Sequence, residues 1–259
     1  MKRREFYNCE VPKEVLVLTC GVDVQDNRLE YEIVGWAREK TSYGIKYGVL
    51  YGDPGKGEVW AMLDDVLFSN YKRSDGLEMQ IMTTCIDSGG HHTEAVYQYC
   101  RKRELRRVWA IKGQGGSGIS YIQRPTKRNK SGAFLFMIGV DVGKDIMASR
   151  LKTDFVTEPG FCHFPMEADR GYDEQYFNGL TAERRNIRTV NGRIVINWVK
   201  KYEGIRNEPF DIRNYATAAC EIMNPNLDAL YRRLNEEGAV NAPPPPKKTR
   251  QISKGISVY

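Results

Sequence analysis

Histidine is scarce in this 259-residue chain, with three residues, and its six cysteines, at 9, 20, 85, 100, 162 and 220, include no C-x-x-C pair. Without that spacing, or paired histidines, neither a zinc site nor a disulfide framework is indicated, and a reduced, cytosolic compartment is expected. No apolar run reaches the length of a membrane span, and residues 1–14 (MKRREFYNCEVPKE) lack the apolar stretch of a signal peptide. The phosphate-loop pattern G-x-x-x-x-G-K-[ST] is missing as well: Gly55-Lys56 runs into Gly57, and Gly143-Lys144 into Asp145. No nucleotide-driven motor is therefore expected here.

What is present is ordinary for a soluble domain: 41% hydrophobic and 28% charged residues. Lys and Arg number 39 against 33 Asp and Glu, a formal charge of +6, which favours a polyanionic partner if the positive charges share a face. One large α/β domain over residues 15–236 is expected, after an N-terminal extension at 1–14. Residues 237–259 are Pro-rich, basic and aperiodic, and read as a disordered tail.

Along the chain, residues 15–23 (VLVLTCGVD) are almost continuously apolar until a carboxylate, as in a central strand covered on both faces. Residues 28–36 alternate, with Leu29, Tyr31, Ile33 and Gly35 against Arg28, Glu30 and Glu32, and predict a hairpin partner. A third strand at 45–51, a helix at 58–71, a strand at 78–87 that again ends in a carboxylate, a helix at 93–103 and a strand at 107–111 follow. Residues 113–132 are Gly-rich and basic without an acidic residue, and read as a long exposed loop or hairpin. Beyond them the pattern predicts a strand at 133–139, a helix at 144–151, a helical piece near 173–186, a short hairpin strand at 194–199 and a helix from Pro209.

Three antiparallel strands, a helix, then a fourth strand, with acids at the ends of the first and fourth, is the order of a ribonuclease H-like mixed sheet flanked by helices. There the two acidic strands are neighbours, about 4.8 Å apart. Asp23 and Asp87 then repel unless a cation lies between them. Hard oxygen ligands suit Mg²⁺ or Mn²⁺, as in two-ion phosphodiester hydrolysis. Asp211 supplies a third acid, opening a helix whose Ile212, Tyr215, Ala216, Ala219 and Met223 share a face. Asn207 is the expected N-cap, Pro209 sits in the first turn, and Glu208 is a possible extra ligand. His91 and His92 read as surface or capping groups, Cys162-His163 as packing, and Lys144 as a solvent-facing lysine within reach of a phosphate. Phosphate contacts are expected from Lys112, Arg124, Lys127, Arg128 and Lys130.

The motifs Gly21-Val22-Asp23-Val24-Gln25, Cys85-Ile86-Asp87-Ser88-Gly89-Gly90, Ile111-Lys112-Gly113, Pro125-Thr126-Lys127-Arg128-Asn129-Lys130, Ile138-Gly139-Val140-Asp141 and Arg206-Asn207-Glu208-Pro209-Phe210-Asp211, in this order, resemble the large-terminase family of lambda-like phages. The resemblance covers about residues 15–224. It implies a ribonuclease H-like fold and an endonuclease cutting concatemeric double-stranded viral DNA in the host cytoplasm. It implies further that Asp23, Asp87 and Asp211 are the catalytic, metal-binding acids, that a portal protein and a small terminase subunit are partners, and that the tail docks to the portal. With no phosphate loop, the chain is expected to be a C-terminal piece without the packaging ATPase. A junction resolvase or integrase-type enzyme, and a noncatalytic DNA-binding or portal-docking module, are the alternatives.

Overall fold

The apolar run near the N-terminus becomes the middle of a nine-stranded sheet in the computed structural model, which describes residues 3–116, 118–190 and 192–235. In chain order the elements begin with β1 Arg4–Glu5, β2 Val17–Gln25, β3 Arg28–Trp36, β4 Ser42–Tyr51 and α1 Gly57–Phe68. The small ladder β5 Tyr71–Lys72 with β6 Glu78–Met79 leads into β7 Ile81–Asp87, α2 Thr93–Lys102, β8 Val108–Gln114, β9 Ile122–Gln123 and β10 Leu135–Gly139. Then come α3 Val140–Lys152, β11 Cys162–Pro165, α4 Glu174–Leu180, β12 Glu183–Val190, β13 Arg193–Lys200, α5 Glu208–Met223 and α6 Leu227–Asn235.

The sheet order is β1-β11-β4-β3-β2-β7-β8-β10-β9. β2, β3 and β4 form an antiparallel meander, whereas β7, β8 and β10 run parallel to β2. This is the ribonuclease H-like arrangement, with the first and fourth strands of the expected order side by side.

Side-chain parity along β2 assigns its two faces. Leu18, Cys20 and Val22 pack with Val59, Leu63 and Leu67 of α1 and Val96 and Tyr99 of α2. On the other face Val17 meets Ala216 and Cys220 of α5, and Thr19 donates its hydroxyl to the Ala216 carbonyl at 2.8 Å. Gly21 is what lets α5 come this close: a Cβ there would lie 2.2 Å from the Ile212 carbonyl oxygen.

The polar side of β3 is not open to water. Glu30 and Glu32 are both fully buried, because Arg28 from the same strand and two arginines from later in the chain are brought over them. Arg28 and Arg206 meet Glu30 at 2.6 and 2.5 Å. The fully buried Arg213 of α5 pairs with Glu32 at 2.5 Å and reaches Ser42 at 3.0 Å, while Tyr172 and Tyr176 donate to Glu32 at 3.0 and 2.9 Å. Such a pair stabilises little against an apolar replacement, but removing one partner is costly, so it pins α5 to the meander.

Several expectations shift. The loop at 113–132 is partly ordered into the sheet, since β8 continues to Gln114 and β9 pairs antiparallel with β10. The helical piece near 173–186 stops at Leu180, and residues from Glu183 instead form a two-stranded ribbon with β13, paired from Glu183↔Lys200 to Val190↔Arg193. β11 is only four residues long and shows no alternation that sets it apart, and α6, although its Leu227, Leu230 and Leu234 recur at helical spacing, is a separate helix after a left-handed break at Asn224 rather than a continuation of the helix from Pro209. The tail at 237–259 lies outside the described residues.

Candidate active site

The same parity that puts Gly21 under α5 puts Asp23 there too. β2 and β7 pair in register through Gly21↔Cys85 and Val22↔Ile86, so Asp87 follows Cys85 onto that face, and Cys85 packs with Tyr215 and Ala219. Asp211 stands in the first turn of α5, one turn before Tyr215. Three acids from three elements therefore meet where the carboxyl ends of two strands face the start of a helix.

Their electrostatics report the proximity. Burial pushes Asp23 up to about 7, offset in part by a hydrogen bond from Gln25 and reinforced by the negative charges of Asp87 and Asp211. Burial raises Asp87 to about 6, with Asp211 adding to the rise while the backbone amides of Gly89 and Ser88 and the charge of Lys112 oppose it. Asp211 is also raised by burial, opposed by Lys144. Three carboxyls that resist ionisation in each other's field make a site short of positive charge. Anionic oxygens of this kind are the donor set of Mg²⁺ or Mn²⁺, so the residues fit a hard divalent cation. Among the described residues no three such side chains are spaced as a ready-made cage.

Asn207 and Lys144 differ from expectation. Asn207 holds the N-cap position, but its side chain makes no cap bond. Its Nδ2 reaches Asp211 Oδ2 at 2.8 Å and Glu183 Oε1 at 2.6 Å. Lys144, expected in solvent, is 7% exposed and pairs with Asp211 at 2.8 Å and Glu183 at 2.7 Å. Glu183 is a site neighbour that the sequence reading missed. Its only sequence cue is an acid opening an otherwise basic stretch, and the contact spans 39 residues.

The remaining candidates are spread out. His91 is exposed and pairs with Asp26 at 2.9 Å, and His92 is the N-cap residue of α2. Glu208 accepts from Arg206 at 3.3 Å. His163 is packing, stacked on Tyr43 with ring centroids 4.2 Å apart. Lys112, Arg124, Lys127, Arg128 and Lys130 are all exposed. Lys112 is the one whose charge reaches Asp87. Arg124 donates to the Ile222 carbonyl at the end of α5. Arg128 pairs with Glu104 and lies over the Phe134 ring at 4.4 Å.

A nearby basic element was not anticipated. The β12–β13 ribbon exposes Arg184, Arg185 and Arg188; its first residue, Glu183, shares Lys144 and Asn207 with Asp211, and the ribbon is tied to α3 by the Trp198 amide, which donates to Asp141 at 2.8 Å, and the Trp198 indole, which donates to Asp145 at 3.0 Å.

Fold and acidic cluster together place the chain in the ribonuclease H-like class. Residues 1–233 match the family described as terminase large subunit gpA, endonuclease domain, and the chain belongs to that family. It is 34% identical over 243 residues to the terminase large subunit of Escherichia phage lambda, covering 91% of this chain and 37% of that protein. It is 29% identical over 259 residues to the terminase large subunit of Enterobacteria phage P21, covering 98% of this chain and 40% of that protein. The chain thus spans about two fifths of the length of these relatives. No described helix is long and apolar enough to cross a membrane.

Proposed function

We propose that this chain is the DNA-cutting module of a genome-packaging terminase: a metal-dependent endonuclease acting on concatemeric double-stranded viral DNA in the host cytoplasm. The observation that carries the reading is the meeting of Asp23, Asp87 and Asp211 on the α5 face of the sheet, in a family defined by its endonuclease domain. In this reading the three aspartates hold Mg²⁺ or Mn²⁺, with two ions expected. Bound there, the ions supply charge neutralisation of the scissile phosphate and stabilise the attacking and leaving oxygens.

The chain's own residues contribute position. Asp23 and Asp87 are fixed by strand register, and Asp211 by a helix anchored through Arg213 and seated on Gly21. Lys112 offers the phosphate backbone a cation beside Asp87, with Lys127 and Lys130 farther along the basic arm formed by residues 123–130. Arg184 and Arg188 on the ribbon offer a second cationic edge. By the resemblance to the large-terminase family, the portal protein and the small terminase subunit are the proposed partners.

Nicking of supercoiled plasmid in the presence of Mg²⁺ or Mn²⁺ tests this. Asp87→Asn removes a ligand charge at almost constant shape and is expected to slow cutting by about a hundredfold or more while duplex binding persists. A folded Asp87→Asn protein that cuts at the unsubstituted rate overturns the assignment.

A further inference from the structure

The cation that meets Asp211 in this structure is a lysine. Lys144 Nζ lies 2.8 Å from Asp211 Oδ1 and 2.7 Å from Glu183 Oε1, and Asn207 takes Asp211 Oδ2. Both Asp211 oxygens are engaged. Asp23 and Asp87, in contrast, form no ion pair among the described residues; they accept from Gln25 and from the Gly89 amide. Lys144 is held firmly in place, because Gly143 brings α3 against α5 so closely that a Cβ would lie 2.0 Å from Asn214 Oδ1. Glu183 is 8% exposed, and its second oxygen, Oε2, is buried with no hydrogen-bond partner. The cluster therefore has unused acceptor capacity on the Glu183 side.

Resting on the metal-nuclease reading above, we propose that Lys144 is a built-in counter-cation that competes with the divalent ion for Asp211, and that Glu183 is the carboxylate that keeps the ammonium when Asp211 turns to the ion. A buried ammonium cannot be left unpaired without a large penalty. Sharing it between two carboxylates removes that penalty, because releasing Asp211 leaves the Glu183 pair in place.

The two partners then have opposite effects on ion affinity, which a merely structural role does not produce. Lys144→Met removes the competitor and is expected to tighten Mn²⁺ binding about tenfold. Glu183→Gln leaves the ammonium with Asp211 alone and is expected to weaken binding several-fold. Mn²⁺ uptake by the full chain, followed through loss of the free-ion paramagnetic resonance signal, reads both without relying on activity, and circular dichroism confirms folding. Unchanged or weaker binding by folded Lys144→Met overturns the proposal. Should that variant fail to fold, unchanged or tighter binding by Glu183→Gln overturns it. Asp23→Asn must weaken the measured uptake; uptake that it leaves unchanged lies elsewhere and also overturns the proposal. If the folded unsubstituted chain takes up no Mn²⁺ at all, the metal-nuclease reading itself fails and the Lys144 proposal falls with it.

Discussion

Gly21→Ala adds one methyl group at the point where α5 touches β2, two residues from Asp23. The new Cβ would sit 2.2 Å from the Ile212 carbonyl oxygen, 2.6 Å from the Ala216 amide nitrogen and 3.0 Å from the Tyr215 Cβ. Two of these are backbone atoms of a helix, so no rotamer change relieves the contact. Reaching ordinary van der Waals separation requires α5 to retreat by about 1 Å. Arg213 resists, since it is tied to Glu32 and Ser42. Overpacking of this kind costs about 1–3 kcal/mol, which for a domain of this size lowers Tm by roughly 2–12 °C. The retreat also carries Asp211 away from Asp23 and Asp87, and a displacement of about 1 Å at a reacting centre can cost on the order of a hundredfold in rate. Thermal unfolding and plasmid nicking should therefore fall together. Gly57→Ala, where nothing lies within 4 Å of the added atom, is the control and should change neither. A Gly21→Ala protein with unchanged Tm and unchanged cutting would show that the β2–α5 contact neither sets the stability nor places Asp211.

Two other outcomes follow from the electrostatics. Asp23 at about 7 and Asp87 at about 6 lie above the ordinary 3.8; a carboxyl raised on folding costs nothing below its unfolded pKa and destabilises increasingly as pH rises toward its folded value. Without divalent ions, Asp23→Asn should thus be more stable than the unsubstituted protein at about pH 8 and lose that advantage near about pH 4, as urea midpoints will show; no advantage at the higher pH contradicts the raised value. On the basic arm, Lys127 and Lys130 make no ion pair among the described residues while Arg128 is held by Glu104. The double change Lys127→Ala/Lys130→Ala should reduce the slope of log affinity against log salt by about 1.8, with Arg128→Ala adding less than one further phosphate's worth, about 0.9; an unchanged slope would move the DNA path to the ribbon.

Much of this protein is legible in one dimension. The alternation at residues 28–36 marks β3 to the residue, and the apolar run ending in Asp23 announces a strand covered on both faces. Strand order then makes Asp23 and Asp87 neighbours, and the period of α5 puts Asp211 on the sheet side. These features are local: periodicities of 2 and 3.6 are written into consecutive residues, and register follows from them. Other features depend on which distant segment arrives next to a residue. Glu30 and Glu32 look like the wet side of a hairpin until Arg206 and Arg213, more than 170 positions later, come to rest on them. Lys144 looks like a solvated helical lysine until α3 closes on α5 and delivers it to Asp211 and Glu183. Asn207 has the sequence of a cap and uses its amide for the acids instead. The sequence by itself determined the central strands of the sheet and where its acids stand; the tertiary structure alone decided the edge strands β1, β9 and β11 and which charges those acids face, because a charged side chain's pattern in the chain does not record the partner that removes it from water.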